Sequence, residues 1–265
     1  MKEAIQAALP QWYPWKDQIL WFDSIGSTND HLRNLARQGA PHGTAVIATH
    51  QANGHGRMGR SFHSPRGQGV YLSLLLRPGC AATELMHLTC AAAVAMCDAV
   101  ELAAGIQPGI KWTNDLVWGN RKLGGILTEL GFGAGGTVDY AIVGIGINCL
   151  QTKDDFPPEI REMALSLSMA SGRTVLPENL AAAMLQTLCT MERKLLTEKK
   201  EILNCYRQRC VTIGRQISVV RGEEVRYGTA LSVDDEGALV VAFREGTVEA
   251  VNSGEVSIRG MYGYL

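Results

Sequence analysis

The period of the hydrophobic pattern changes several times along the chain, and each change marks an element. A short apolar run from about Ile19 to Asp23 predicts a strand. The hydroxyls and amide of Gly26-Ser27-Thr28-Asn29-Asp30 then suit the N-cap of a helix over His31–Gln38. Residues 44–50 (TAVIATH) predict a second strand, after which the periodicity stops. Residues 51–69 hold five glycines, three arginines and a proline, and an irregular segment of that length is usually functional or disordered.

Residues 70–76 (VYLSLLL) resume as a strand, and Leu85, Leu88, Ala92, Ala95, Met96 and Ala99 recur at helical spacing from Glu84 to about Ala104. Residues 110–118 and 122–130 flank Gly119-Asn120-Arg121 as the two strands of a hairpin, and 138–148 form a further strand. Leu180, Met184, Leu188, Met191 and Leu195 predict a second long helix, with Pro177 suited to its first turn. Beyond Ile213-Gly214 the character changes to short β-type runs at 216–220, 225–233, 238–243, 247–251 and 256–259. Such closely spaced strands predict a small barrel, with a boundary near residue 213 between a 1–213 unit and a 214–265 unit.

Composition narrows the setting. A length of 265 residues allows one large domain and one small one, or one unusually large domain. The formal net charge of −1 gives no general attraction to nucleic acid or to an anionic membrane, so any basic site is local. Seven cysteines form no C-x-x-C and cannot all pair, which reads as reduced core thiols of a cytoplasmic protein. The first residues carry no apolar signal-like region, and the runs 70–76 and 91–97 are too short to span a bilayer; no membrane association is expected.

Chemistry concentrates in three places. Gly54-His55-Gly56-Arg57-Met58-Gly59-Arg60 formally contains the dinucleotide pattern G-x-G-x-x-G. That reading needs a helix after the last glycine, and Pro65, Gly67 and Gly69 oppose one; Arg77-Pro78 also stands where an acidic residue is required. No Gly-Lys-Ser/Thr ends the loop, so it is not a Walker A loop either. What remains is a glycine-rich loop with Arg57, Arg60 and Arg66, either solvated or built to hold phosphate or carboxylate. Lys111-Trp112-Thr113-Asn114-Asp115 either serves a phosphate and its Mg2+ or marks a turn. Lys122 precedes Gly124-Gly125, a pair that marks close backbone approach by a ligand, though a lysine beside a hairpin is also commonly just solvated. His50, His55 and His63 show no metal-ligand spacing, and Phe62, Trp112 and Trp118 serve packing or wall an apolar ligand.

Taken in order, six motifs together resemble the biotin protein ligase family. They are Ser27-Thr28-Asn29; Gln51 with Gly54-x-Gly56-Arg57-x-Gly59-Arg60; Lys111-Trp112-x-Asn114-Asp115; Lys122-Leu123-x-Gly125-Ile126-Leu127; Gly144-Ile145-Gly146-Ile147-Asn148; and Gly254-Glu255-Val256-Ser257-Ile258-Arg259. The resemblance spans about residues 19–260. It implies an α+β fold, a mixed sheet with flanking helices like that of class II aminoacyl-tRNA synthetases, plus a C-terminal SH3-like β-barrel.

The resemblance also implies a two-step reaction. The carboxylate of biotin attacks the α-phosphate of ATP, taken with Mg2+, and a lysine of a biotin carboxyl carrier protein then takes the biotinyl group from the adenylate. Ser27, Thr28, Asn29 and Gln51 would meet the biotin head, with His55, Gly56 and Arg57 at its carboxyl and phosphate region. Lys122 and Arg57 would be catalytic. Gly54, Arg57, Arg60, Lys111, Asn114, Asp115, Asn148 and Arg259 would serve ATP, with Asp115 toward the metal.

Departures from the family pattern fall at His55, Met58, Phe62 and Thr113, and bear on adenylate retention. About twenty residues precede the first strand, too few for a three-helix DNA reader, so a monofunctional ligase without DNA binding is expected; a homodimer is compatible. A lipoate ligase shares the adenylate chemistry, but Arg57 with Lys122-Leu123-x-Gly125 favours biotin. A non-catalytic biotin or nucleotide sensor would not need Lys122 and Asp115.

Overall fold

The computed structural model describes residues 1–252, residue 134 by its backbone only, and the backbone of residues 257–260. In chain order the helices are α1 (Lys2–Ala8), α2 (Thr28–Arg37), α3 (Leu88–Ala104), α4 (Leu167–Ser171), α5 (Pro177–Lys194) and α6 (Lys199–Arg209). The strands are β1 (Ile19–Phe22), β2 (Ala45–Ala48), β3 (Gly69–Leu76), β4 (Gly109–Lys111), β5 (Asp115–Trp118), β6 (Arg121–Phe132) and β7 (Val138–Asn148). They continue with β8 (Gln216–Arg221), β9 (Glu224–Val233), β10 (Leu239–Phe243), β11 (Val248–Val251) and β12 (Ser257–Gly260).

The first seven strands form one mixed sheet in the order β1-β2-β3-β7-β6-β5-β4, in which β1 and β2 run parallel and the other neighbours antiparallel. β3 is buried along its whole length, which explains why its sequence is continuously apolar rather than alternating. One face of the sheet packs on α2 through Leu32, Ala36, Val46, Leu75 and Ile142. The opposite face, with Ile47, Leu72, Leu74 and Val143, joins a larger core shared with α3 and α5. Helix α3 is apolar on nearly every side because it is enclosed, and its alanines admit close approach by α5 and α6. The apolar stretch containing 91–97 is longer than the sequence pattern suggested. Ala82–Ala104 has the length and composition to cross a membrane, but most of it is buried inside the protein.

Two local differences from the sequence expectation matter for the site. Helix α2 begins at Thr28 rather than His31, because Ser27 is the N-cap and its side chain accepts from the Asp30 N–H. The run 110–118 is not one strand: β4 and β5 pair antiparallel across a turn at 112–114 that contains a cis Trp112–Thr113 peptide. Tertiary partners impose that turn. Thr212 Oγ1 accepts from Trp112 N, Gly237 O accepts from the Trp112 indole, and Tyr206 donates to Thr113 O. β8 to β12 form a second, antiparallel sheet in the order β11-β10-β9-β8-β12. All seven cysteines are free thiols and five are buried.

Candidate active site

The cavity opens on the α2 face of the sheet, beyond the N-terminus of α2. Glycine creates the space. Gly125 pairs with Gly146 and Leu127 with Gly144 across β6 and β7, so three of four neighbouring positions on that face lack side chains. A Cβ on Gly144 would overlap the Asn29 amide, and one on Gly146 would come within 2.6 Å of the Phe62 ring. The cavity volume is about 190 Å3.

One end is neutral and polar. Gln51 Oε1 accepts from the Thr28 N–H at 2.8 Å, and Thr28 Oγ1 lies 3.1 Å from the same oxygen. Asn29 Nδ2 donates to Glu129 Oε2 at 2.8 Å, and Arg33 closes on the other Glu129 oxygen at 2.6 Å. Partial burial works against the Arg33 charge, but Glu129 and Asp30 outweigh it and hold its pKa above the ordinary value.

The other end is cationic. Arg57, Arg60, Lys111 and Lys122 line it with Asp115, the one carboxylate on the cavity wall among the described residues. Arg57 Nη1 donates to Asn114 Oδ1 at 3.0 Å, and Asn114 Nδ2 donates to Ile126 O at 2.9 Å, so the loop is tied to the β4–β5 turn. Burial lowers the Arg57 pKa; Asp115 opposes that shift and Arg60 adds to it. The guanidinium nonetheless remains a cation at neutral pH. Lys122 Nζ reaches Asp115 Oδ1 at 2.7 Å and lies 5.9 Å from the Phe62 ring centre.

A β-bulge decides where Lys122 points. Asp115 pairs with Gly125 and Leu116 with Gly124, but Val117 pairs with Lys122, leaving Leu123 as the extra residue. Strict alternation from Gly125 and Leu127 would aim Leu123 into the cavity. The bulge instead buries Leu123 in the core and brings Lys122 to the cavity wall.

The loop itself is a small hairpin. Gly54 O accepts from Phe62 N, Gly56 N donates to Arg60 O, and Met58 (φ 56°) and Gly59 (φ 71°) reverse the chain in left-handed geometry. His55 stands at the rim, its Nδ1 3.2 Å from Asn53 O and its Nε2 4.0 Å from Asp30 Oδ1.

The cavity thus gathers Ser27, Thr28, Asn29, Gln51, His55, Gly56, Arg57, Arg60, Lys111, Asn114, Asp115 and Lys122. Gly54 is not on the wall; it shapes the loop, since a Cβ there would meet Ser64 Oγ at 2.7 Å. Asn148 is not on the wall either. Its amide donates to Leu165 O and accepts from Gln151, which fastens the segment after β7 to the sheet. Of the C-terminal motif, residues 254–256 and the side chain of Arg259 lie outside the described residues, although Arg259 pairs through its backbone with Ser218.

Sequence reasoning gave no site role to Gly144 and Gly146, although glycines at alternate strand positions signal a bare floor. Ser73 and Glu129 beneath the neutral end carried no signal at all. Chemically, the arrangement suits a ligand with a hydrogen-bonding head at one end and a carboxylate and phosphates at the other.

Comparison with known proteins agrees. Residues 21–148 match the Biotin/lipoate A/B protein ligase family, and residues 212–259 match the Biotin protein ligase C terminal domain. The bifunctional ligase/repressor BirA of Bacillus subtilis is 36% identical over 247 residues, covering 91% of this chain and 74% of that protein. A biotin–acetyl-CoA-carboxylase ligase of Mycobacterium tuberculosis is 29% identical, covering 87% of this chain and 85% of its own length. Among solved structures, a biotin protein ligase from Aquifex aeolicus in complex with biotin and ATP superimposes with a TM-score of 0.78. It is 28% identical, over 91% of this chain and 98% of that one.

Proposed function

The chain belongs to the biotin protein ligase family, and on that premise we propose that it attaches biotin to a lysine of a biotin carboxyl carrier protein at the expense of ATP. One observation carries this reading: a neutral hydrogen-bonding end and a cationic end meet in one cavity, with Lys122 and Asp115 paired in the cationic half.

In the first step a biotin carboxylate oxygen bonds to the α-phosphorus of ATP, and the bond to the bridging oxygen breaks, releasing pyrophosphate. Both reactants are anionic, so the barrier includes bringing like charges together. Lys122 and Arg57 offset that repulsion and stabilise charge as it spreads over the transferring group. Asp115 positions Lys122, and Asn114 positions Arg57. Lys111 and Arg60 add to the field that attracts ATP.

Mg2+ enters with ATP as part of the substrate. Asp115, the one wall carboxylate among the described residues, fits a cation held mostly by phosphate oxygens and water. In the second step the neutral amine of the carrier lysine attacks the acyl carbon of the mixed anhydride. AMP leaves, and the nitrogen loses a proton as the amide forms. Until the carrier arrives, Arg57 and the hairpin 54–62 hold the adenylate and limit its escape.

The test is pyrophosphate exchange into ATP by the purified protein, run with biotin and, separately, with lipoate. Exchange driven by biotin alone, followed by a carrier domain gaining one biotinyl mass, is the expected result. Exchange driven by lipoate and not by biotin would overturn the reading, and tight biotin binding without exchange would point to a sensor.

A further inference from the structure

The transfer step needs a proton acceptor that the reaction scheme has not supplied. A solvated lysine has a pKa of about 10.4, so the carrier presents an ammonium at neutral pH, with no lone pair for the acyl carbon until a proton leaves. At the cationic end of the described wall, Arg57, Arg60, Lys111 and Lys122 are cations, and the Asp115 carboxylate is engaged by Lys122 at 2.7 Å.

His55, on the rim, has the missing lone pair. Its Nδ1 lies 3.2 Å from Asn53 O, and a carbonyl oxygen only accepts, so in the neutral ring Nδ1 carries the hydrogen and Nε2 the lone pair. Nε2 faces Asp30 Oδ1 at 4.0 Å, too far for a hydrogen bond between them. Both atoms are acceptors, and a nitrogen about 2.8 Å from each would see them about 90° apart, within reach of two N–H bonds of one ammonium. Their side chains are 31% and 47% exposed, so a carrier lysine can approach from solvent.

The place suits the step. Arg57, two residues along the same hairpin, reaches Asn114 at the cationic end, while Asp30 stands in the first turn of α2 at the neutral end. His55 therefore stands where the two ends meet, which is where a biotinyl-adenylate carries its acyl carbon. The charged groups of the surrounding elements are Asp30 and Arg33 of α2, Glu129 of β6 bound to Arg33, and Arg57 and Arg60 of the hairpin itself. His55 is also one of the positions at which the chain departs from the family pattern, so its role belongs to this chain.

We propose that His55 is a catalytic residue of the transfer step: Nε2, with Asp30 beside it, captures the carrier lysine as its ammonium and takes one of its protons. The freed amine bonds to the acyl carbon, the bond from that carbon to the phosphate oxygen breaks, and AMP leaves with the electron pair. The proton that the nitrogen loses as the amide forms passes to a phosphate oxygen of AMP. The imidazolium, facing Asp30, returns its proton to water. The inference rests on the biotin ligase reading.

Single-turnover transfer tests this. The protein is loaded with biotinyl-adenylate from biotin and MgATP, freed of excess nucleotide and mixed with a carrier domain, whose gain in mass is followed from about pH 6 to 9. The wild-type rate is expected to fall with acidification and to hold level above that limb, because moving a proton from lysine to histidine changes no proton count. His55→Gln, which accepts a hydrogen bond but takes up no proton, should transfer about 100-fold more slowly near neutral pH. Its rate should rise about tenfold per pH unit throughout, tracking the free amine. Asp30→Asn should move the acidic limb to lower pH, since loss of the carboxylate disfavours the imidazolium. Hydroxylamine, which arrives uncharged, separates a base from a structural role: with it as acceptor, His55→Gln should come within about threefold of wild type. A wild-type limb retained in His55→Gln, an unmoved limb in Asp30→Asn, or an equal loss with hydroxylamine would each overturn the proposal. Wild-type protein that forms no adenylate from biotin would remove the functional reading, and this inference with it.

Discussion

The two ends of the cavity are built on opposite principles. At the neutral end the polar groups already satisfy one another: Thr28 with Gln51, Asn29 with Glu129, Glu129 with Arg33. Recognition there is directional, and the protein holds the direction before any ligand arrives. At the cationic end Arg57, Arg60, Lys111 and Lys122 face one carboxylate. Burial and the neighbouring Arg60 depress the Arg57 pKa there, which marks a charge arrangement at cost until an anion offsets it. Selectivity therefore belongs to the first end and rate to the second, because the charge that redistributes during adenylate formation lies at the second end, where an interaction can strengthen in the transition state.

The contrast can be broken most sharply at Lys122. Lys122→Ala removes a cation from the reacting centre and leaves Asp115, only 17% exposed, without its lysine. Biotin-dependent exchange should fall by about 100- to 1,000-fold, as for loss of one preorganised stabilising group. The KM for biotin should move far less. Exchange near the wild-type rate would take Lys122 out of the chemistry.

Arg57→Ala should act later in the cycle. With the guanidinium and its bond to Asn114 gone, the adenylate should leave about ten- to a hundredfold faster, the scale of a lost charge-assisted hydrogen bond. Bystander proteins would then acquire biotin in a mixed lysate, seen by blotting with a biotin-binding probe. Labelling confined to the carrier would argue that the rest of the hairpin retains the adenylate without Arg57.

The smallest effect sharpens the neutral end. Gly144→Ala places a methyl group where the Asn29 amide lies. Overpacking of this kind costs about 1–3 kcal/mol, and here it also displaces a link in the hydrogen-bond chain. The expected signature is a lowered Tm with a raised KM for biotin and an unchanged KM for ATP. A shift in the KM for ATP alone would place Gly144 with the wrong half of the cavity.

Much of this was legible in the chain itself. Hydrophobic periodicity determined most strands and the two long helices, and the hydroxyl-rich Ser27-Thr28-Asn29 marked the helix start because capping is a local event. The ordered motifs determined the family and nearly all of the cavity wall. What the sequence could not determine was direction and partnership. The turn at 112–114 exists because Thr212, Gly237 and Tyr206 hold it, all about a hundred residues away along the chain. Lys122 reaches the cavity because one bulge reverses the side-chain phase of β6, and no local pattern encodes that slip. Asn148 shares a motif with the floor of the site yet spends its amide on Leu165 and Gln151. Arg33, Ser73 and Glu129 are unremarkable polar residues until the sheet and α2 bring them together. Local geometry follows from neighbours in sequence, but a hydrogen bond needs both partners within about 3 Å, and only the topology decides which partners those are.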